Sequence, residues 1–289
     1  MDLGLRGKVA VITGGSEGIG RAAAIEFARE GAHVAICARR ADVLEAAAGH
    51  VRAAGGDVLA VPLDVTEPGR LEAFVQQAID RWGGVDILLN NVGTSQAASF
   101  ETVTDDVWQQ DLDLKFFSAV RASRAAIPSM RARGGGRIIN ITTVGGKQPG
   151  ASSVPTTVTR AAGIALTKAM SKDLAKDNIL VNTVCVSLAK SGQTSRRGLA
   201  RNPGRSLDEV YADMGARLPL GRIAEAEFCG DISAGASSDI KQNTELARRM
   251  VAELGMSDKV GPVNYAERQG SEFLGTELMS SKWHSEETA

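Results

Sequence analysis

Residues 9–20 read VAVITGGSEGIG, and the fold follows from how this stretch is read. Val9 to Thr13 form an apolar run of strand length, short enough to lie buried on both faces. The glycines come directly after it, and the helical run GRAAAIEFAREGA (20–32) directly after them. A strand, a glycine turn and a helix in that order make a cradle for phosphate. Gly14 permits the tight turn, Gly18 lets backbone approach the phosphate, and Gly20 lets the helix pack on the strand. The free amides and positive dipole of the helix start then face a pyrophosphate, with Ser16 and Ile19 beside the glycines.

The same alternation repeats outward from this unit. HVAICAR (33–39) precedes an alanine-rich helical run over 41–54, and VLAVPLDV (58–65) precedes another over 68–82. VDILLNNVG (85–93) leads to a long helical pattern over about 104–133, followed by RIINIT (137–142). A helix over about 156–176 leads to ILVNTVCVS (179–187). Six short apolar strands alternating with helices predict an α/β, doubly wound parallel sheet of the Rossmann type, covered on both faces. Ligands of such a sheet bind at the carboxyl ends of its strands.

Beyond about residue 192 the composition changes. SGQTSRRGLARNPGRS (191–206) is polar and glycine-rich, as a surface loop over a pocket would be. A helical pattern over 206–229 is broken at Pro219, and one amphipathic helix over about 238–254 ends at Gly255. The organisation predicted is a dinucleotide-binding domain over 1–229 and a small helical appendage over 230–289.

Bulk properties exclude several classes. The 33 basic and 34 acidic residues leave a net charge of −1, so no basic field exists for nucleic acid or an anionic membrane. Cys37, Cys185 and Cys229 lie far apart with no CxxC, which fits structural thiols in a reducing compartment. No uninterrupted apolar run approaches the roughly 18 residues of a membrane span. A soluble, cytoplasmic protein is expected.

The end of the second strand selects the dinucleotide. A carboxylate there would take the adenosine ribose hydroxyls, whereas basic residues suit a 2′-phosphate. The chain has Cys37-Ala38-Arg39-Arg40 and no acid, which favours NADP over NAD.

With these motifs in order, the chain over about 5–228 resembles the short-chain dehydrogenases/reductases. The resemblance rests on Thr13–Gly20, the pair Asp64-Val65 that the family places near adenine, Asn90-Asn91-Val92-Gly93, and the strand Gly136-Arg137-Ile138-Ile139-Asn140. It implies cofactor contacts at Asn91, Gly93, Asp64 and Val65, and a small carbonyl or alcohol substrate. It also implies an Asn, Ser, Tyr, Lys tetrad, whose places fall on Asp113, Thr143, Thr156 and Arg160. All four depart from the pattern.

Thr143 keeps a hydroxyl able to polarise a carbonyl. Asp113 keeps the size of Asn and adds a charge. Arg160 keeps positive charge and donors for ribose oxygens, as a planar fork in place of a point. Thr156 is the serious loss, because a phenol near pKa ~10 can be tuned toward neutrality and an aliphatic alcohol cannot. Three readings follow: weak turnover with a substitute donor, for which Lys147 in VGGKQPG is the candidate; NADP(H) binding without turnover; or participation of Ser152 or Ser153. After the sixth strand, Val186-Ser187 replaces the family's Pro-Gly, leaving Ser191 or Thr194 to supply a hydroxyl near the carboxamide.

The family's closing strand, usually a Gly-Thr-x-x-x-Val-Asp-Gly-Gly run, does not arrive. Residues 230–289 instead resemble the protease domain of FtsH-type AAA+ zinc peptidases, through GASSDIKQNTELARRMV, GMSDKVGPVNYAE, EFLG and HSEETA. That family's Asp ligand would fall on Asp239, but no HExxH accompanies His33, His50 or His284, so no metal site and no peptidase activity are expected. Without a seventh strand the sixth is an edge unless the tail covers it. Family assembly through the helices at 104–133 and 156–176 would then give a homodimer.

Overall fold

The computed structural model describes residues 3–216, 218 and 221–224. The chain divides into Met1–Cys229, which holds every described residue, and Gly230–Ala289. The expected amphipathic helix at 238–254, Cys229 and the peptidase-like motifs lie outside the described residues.

Six strands make one parallel sheet: β1 (Val9–Thr13), β2 (His33–Ala38), β3 (Val58–Pro62), β4 (Ile87–Asn90), β5 (Gly136–Thr143) and β6 (Ile179–Val186). Their order is β3-β2-β1-β4-β5-β6, so the direction of winding reverses between β1 and β4. β1 is buried along its whole length because both faces carry helices, which is why it reads as a continuous apolar run rather than an alternation.

The two faces have separate cores. Val11, Ala35, Cys37, Leu88 and Ile138 point to the side covered by α3 (Arg70–Trp82) and α5 (Ser118–Ala132), where Phe74, Leu71 and Met130 close the packing. Ile12, Val34, Ile36 and Leu89 point to the side of α1 (Gly18–Arg29) and α2 (Ala41–Ala53), against Ala24, Leu44 and Val51. Alanines on α1 and α2 let these helices lie close to the sheet.

The long pattern over 104–133 is two helices joined without a break. α4 (Asp105–Leu112) passes through a π turn at Asp113–Phe117 into α5. A π turn fits one extra residue into the helix and turns the side chains within it relative to their neighbours. α6 (Thr156–Asp173) starts directly after Pro155 and packs on β5 and β6.

One expectation fails here. The polar stretch after 190 is not a loop: α7 (Gly192–Arg201) forms there, followed by α8 (Leu207–Ala216). The reason is local. Ser191 accepts a hydrogen bond from the Thr194 amide at 3.2 Å and so caps the helix, which outweighs its glycines and its polarity.

Candidate active site

A cleft of about 990 Å³ opens at the carboxyl ends of the strands, where the winding reverses between β1 and β4. Its floor is the glycine turn. Gly14 and Gly18 have φ of +71° and +55°, which favours glycine at both. A Cβ on Gly20 would run into the carbonyl oxygen of Gly14, so this glycine sets how closely α1 approaches the turn. The amides of Gly14 and Gly15 are already bonded to the Cys37 carbonyl at 3.0 and 3.1 Å. The open donors are those of the first turn of α1, at Gly18, Ile19 and Gly20, which no side chain caps. Gly14, Ser16, Gly18 and Ile19 all line the cleft.

Asn91 holds this turn in place rather than facing the cleft with its amide. Its Nδ2 donates to the carbonyls of Gly14 at 2.9 Å and Thr13 at 3.3 Å, and its backbone amide donates to Thr13 Oγ1 at 3.1 Å. Behind it, Asn90 Nδ2 donates to Asn140 Oδ1 at 2.8 Å, and Asn140 Nδ2 to Thr167 Oγ1 at 2.8 Å. These buried amides lock β4, β5 and α6 together at the site.

At the other end of the cleft, Arg39 and Arg40 both line the rim. Arg40 pairs with Glu17 at 2.5 Å, and Arg39 lies 4.0 Å from Asp64. Arg196, on α7, reaches the same Glu17 at 3.2 Å, so one carboxylate in the turn ties α7 and the start of α2 together. Burial raises the Glu17 pKa, but Arg196 and Arg40 outweigh it and hold the carboxyl below its usual range. Val65 is buried and lines the cleft, while the Asp64 carboxylate accepts from the Thr66 amide and hydroxyl at 2.9 and 2.8 Å. Cys37 is enclosed, and burial pushes its thiol up to about 12, which leaves it inert.

The inner end brings together Thr143, Thr156 and Arg160. Thr143 lines the cleft, and its hydroxyl has no partner among the described residues. Arg160 Nη1 donates to the Ile141 carbonyl at 2.7 Å, and its guanidinium occupies the space a Cβ on Gly93 would need. Its Nε is buried with no partner, and burial lowers its pKa against the opposing pull of Asp111. Thr156 Oγ1 accepts from the Gln96 amide at 2.9 Å and from Lys115 Nζ at 3.1 Å.

Lys115 was not foreseen from the sequence. Its amine is buried and paired with Asp111, whose second oxygen accepts from Thr159 Oγ1 at 2.6 Å. Asp113, expected in the site, does not reach it. That carboxylate accepts from Gln109 at 3.0 Å and lies 3.5 Å from Arg121, because the π turn directs residue 115 inward in its stead. Two further expectations are corrected. Lys147 is exposed and is not among the residues lining the cleft. The Ser153 hydroxyl donates to the Gly150 carbonyl at 2.5 Å and lies 3.0 Å from Thr157 Oγ1, while Ser152 is exposed, so neither faces the site. Ser191 and Thr194 do line the cleft, Ser191 as the cap of α7. Tyr211 is bonded to Ser195 at 2.7 Å and does not line the cleft.

The family model for short chain dehydrogenases matches residues 8–201, about two thirds of the chain and every element from β1 to α7. The chain belongs to the short-chain dehydrogenases. Among relatives of this family, oxidoreductase UcpA of Escherichia coli is 30% identical over 238 residues, covering 81% of this chain and 89% of the relative. A crystal structure of L-sorbose reductase from Gluconobacter frateurii, complexed with NADPH and L-sorbose, superposes with a TM-score of 0.75 at 37% identity, covering 78% of this chain and 88% of that one. A variant of actinorhodin polyketide ketoreductase with NADPH gives a TM-score of 0.71 at 29% identity, covering 80% and 92%. The model for peptidase family M41 matches residues 205–289, beginning before the expected boundary at 230 and taking in α8. Among the described residues of this short-chain dehydrogenase, no helix is long and apolar enough to cross a membrane.

Proposed function

We propose that this chain is an NADP(H)-dependent oxidoreductase that interconverts a small ketone and its alcohol, with a divergent set of proton-handling groups. The observation that carries the reading is that one cleft holds both the uncapped start of α1 and the hydroxyls of Thr143 and Thr156. Gly14, Ser16, Gly18, Ile19 and Gly20 would hold the pyrophosphate, Arg39 and Arg40 the 2′-phosphate, and Val65 the adenine. Arg160, fixed by the Ile141 carbonyl and by Gly93, would face the nicotinamide ribose, with Thr143 on the substrate carbonyl. The bound dinucleotide supplies hydride chemistry; the protein orients the carbonyl and delivers the proton.

The NADPH named in the sorbose reductase and ketoreductase structures supports this choice, as does the absence of an acid at the end of β2, where Arg39 and Arg40 follow Ala38. A homodimer through the outer faces of α4–α5 and α6 belongs to the same reading. Phe117 and Val158 are exposed there, at 37% and 47%. The balanced charge and scattered cysteines support a cytoplasmic location.

A second reading, a silent NADP(H)-binding sensor or partner subunit, is favoured by Thr156 standing where the family has its phenol. Fluorescence titration with NADPH and NADH, then loss of NADPH absorbance with a panel of ketoses, β-keto thioesters and α-diketones, separates the two. Tight NADPH binding with measurable reduction supports the enzyme. Binding with no reduction across the panel supports the silent subunit, and equal or absent binding of both dinucleotides defeats both.

A further inference from the structure

The dinucleotide cleft gives no reason for the buried pair Asp111–Lys115. Both side chains are enclosed, at 0% and 1% exposure, where α4 passes into the π turn. Removing two charges from water costs several kcal/mol per ion before their attraction offsets it. Such a pair in a core that apolar residues could fill calls for a use.

Geometry supplies one. The Asp111 carboxylate accepts from Lys115 on one oxygen and from Thr159 on the other. Lys115 has a further donor directed at Thr156 Oγ1, 3.1 Å away. Thr156 Oγ1 also accepts from the Gln96 amide at 2.9 Å. A hydroxyl has two acceptor positions and one hydrogen. With both acceptor positions taken by N–H donors, the Thr156 hydrogen is left to point away from them, and Thr156 lines the cleft.

We propose that Lys115 is the proton source of carbonyl reduction, acting through the hydroxyl of Thr156. This rests on the reductase reading given above. Hydride from the reduced dinucleotide reaches the carbonyl carbon, and the C=O π electrons move to oxygen. The Thr156 O–H bond breaks toward that oxygen as a Lys115 N–H bond breaks toward Thr156 Oγ1. The alcohol product carries the Thr156 proton, the threonine is restored, and Lys115 is left as a neutral amine beside Asp111. Solvent reprotonates it once product leaves. No free alkoxide of threonine is formed, so the weak acidity of an aliphatic alcohol does not bar the step. A Lys115 amine that ionises near neutrality suits the task. Burial pulls it down to about 8, against the hydrogen bond and charge of Asp111, and Arg160 and Arg197 push it further the same way. These are the charged groups facing it from α4, α6 and α7; Thr156 and Thr159 are its neutral polar neighbours.

The test uses the full chain and two readouts. Side-chain ammonium NMR of the cofactor-free protein, with Lys115→Arg to assign the signal, should show Lys115 titrating near 8 and moving when Thr156→Val is introduced. A midpoint in the ordinary lysine range, or one indifferent to Thr156→Val, overturns the relay. In turnover with NADPH and the same panel of ketoses, β-keto thioesters and α-diketones, wild-type kcat should fall as pH rises through the Lys115 midpoint. Lys115→Arg keeps the charge and cannot release a proton, so kcat should drop on the order of 100-fold or more with NADPH affinity retained. Thr156→Val should do the same, while Thr156→Ser should keep most activity. The double change Asp111→Asn with Lys115→Met removes both charges at once, and should fold and bind NADPH but reduce slowly. Active wild type with indifferent Lys115→Arg and Thr156→Val variants overturns the relay alone. Wild type that binds NADPH and reduces nothing overturns the reductase reading, and the relay with it.

Discussion

The guanidinium of Arg160 lies in the space that any side chain at residue 93 would fill, so the glycine just beyond β4 is the seat of an arginine from α6. Arg160 cannot retreat, because Nη1 is bonded to the Ile141 carbonyl and Nε is buried. Gly93→Ala should therefore displace the guanidinium into the cleft and weaken NADPH binding by about tenfold or more, roughly 1.4 kcal/mol. Fluorescence titration checks this, with circular dichroism to confirm the fold. Unchanged affinity would mean that Arg160 takes no part in holding the dinucleotide.

Arg39 and Arg40 stand at the rim with no acid between them and the end of β2. Charged hydrogen bonds to a phosphate contribute about 1.5–3 kcal/mol each at best, less at an exposed rim. Replacing both with alanine should cost on the order of 10- to 100-fold in NADPH affinity and leave NADH nearly unchanged. A parallel loss for both dinucleotides would place the arginines elsewhere than on the 2′-phosphate.

Glu17 pairs with Arg40 at 2.5 Å and with Arg196 at 3.2 Å, so on the reading above its charge opposes any phosphate those two arginines would meet in the cleft. Glu17→Gln should tighten NADPH binding several-fold at low salt, an advantage that shrinks as salt rises. It should also raise amide exchange in α7, whose tie to the turn is weakened. Weaker binding in the variant would show that the carboxylate orders the turn more than it opposes the ligand.

How much of this was legible in the chain depends on what each residue had to satisfy. The glycine turn could be read because Gly14, Gly18 and Gly20 answer backbone demands that few other residues meet, and the six strands because each is a short apolar run, wholly buried in β1 and β4. Lys115 could not be read in the same way. Charged residues are expected on the solvent side of a helix, and the size match of Asp for Asn drew attention to Asp113. A signal was present nonetheless. Asp111, Lys115, Ala119, Ala122, Ala126 and Met130 follow one another in steps of three and four, and all six are buried. Reading Lys115 as part of that stripe finds the pair. α7 is hidden by its polar, glycine-rich composition, although Ser191, which caps it, stands at its start.

Asp86 supplies a prediction about stability that is independent of the site. It sits between β1, β4 and the end of α5, 7% exposed, and its oxygens accept from the Val9 amide at 2.9 Å and from Arg133 at 3.0 and 3.1 Å, with Lys8 at 3.3 Å. Burial alone would raise its pKa, but the Val9 amide, Arg133 and Lys8 outweigh it and hold the carboxyl below the ordinary 3.8. A carboxyl depressed in the folded state stabilises the fold above its unfolded pKa and loses that contribution as pH falls through the folded value. Urea unfolding should therefore show stability from Asp86 intact at neutral pH and falling away below pH ~4. Asp86→Asn keeps one acceptor and loses the charge, so it should cost about 1–3 kcal/mol at neutral pH and flatten the acid limb of the curve. A variant as stable as the parent at neutral pH would mean that the pairs with Arg133 and Lys8 do no more than balance the cost of burying the carboxylate.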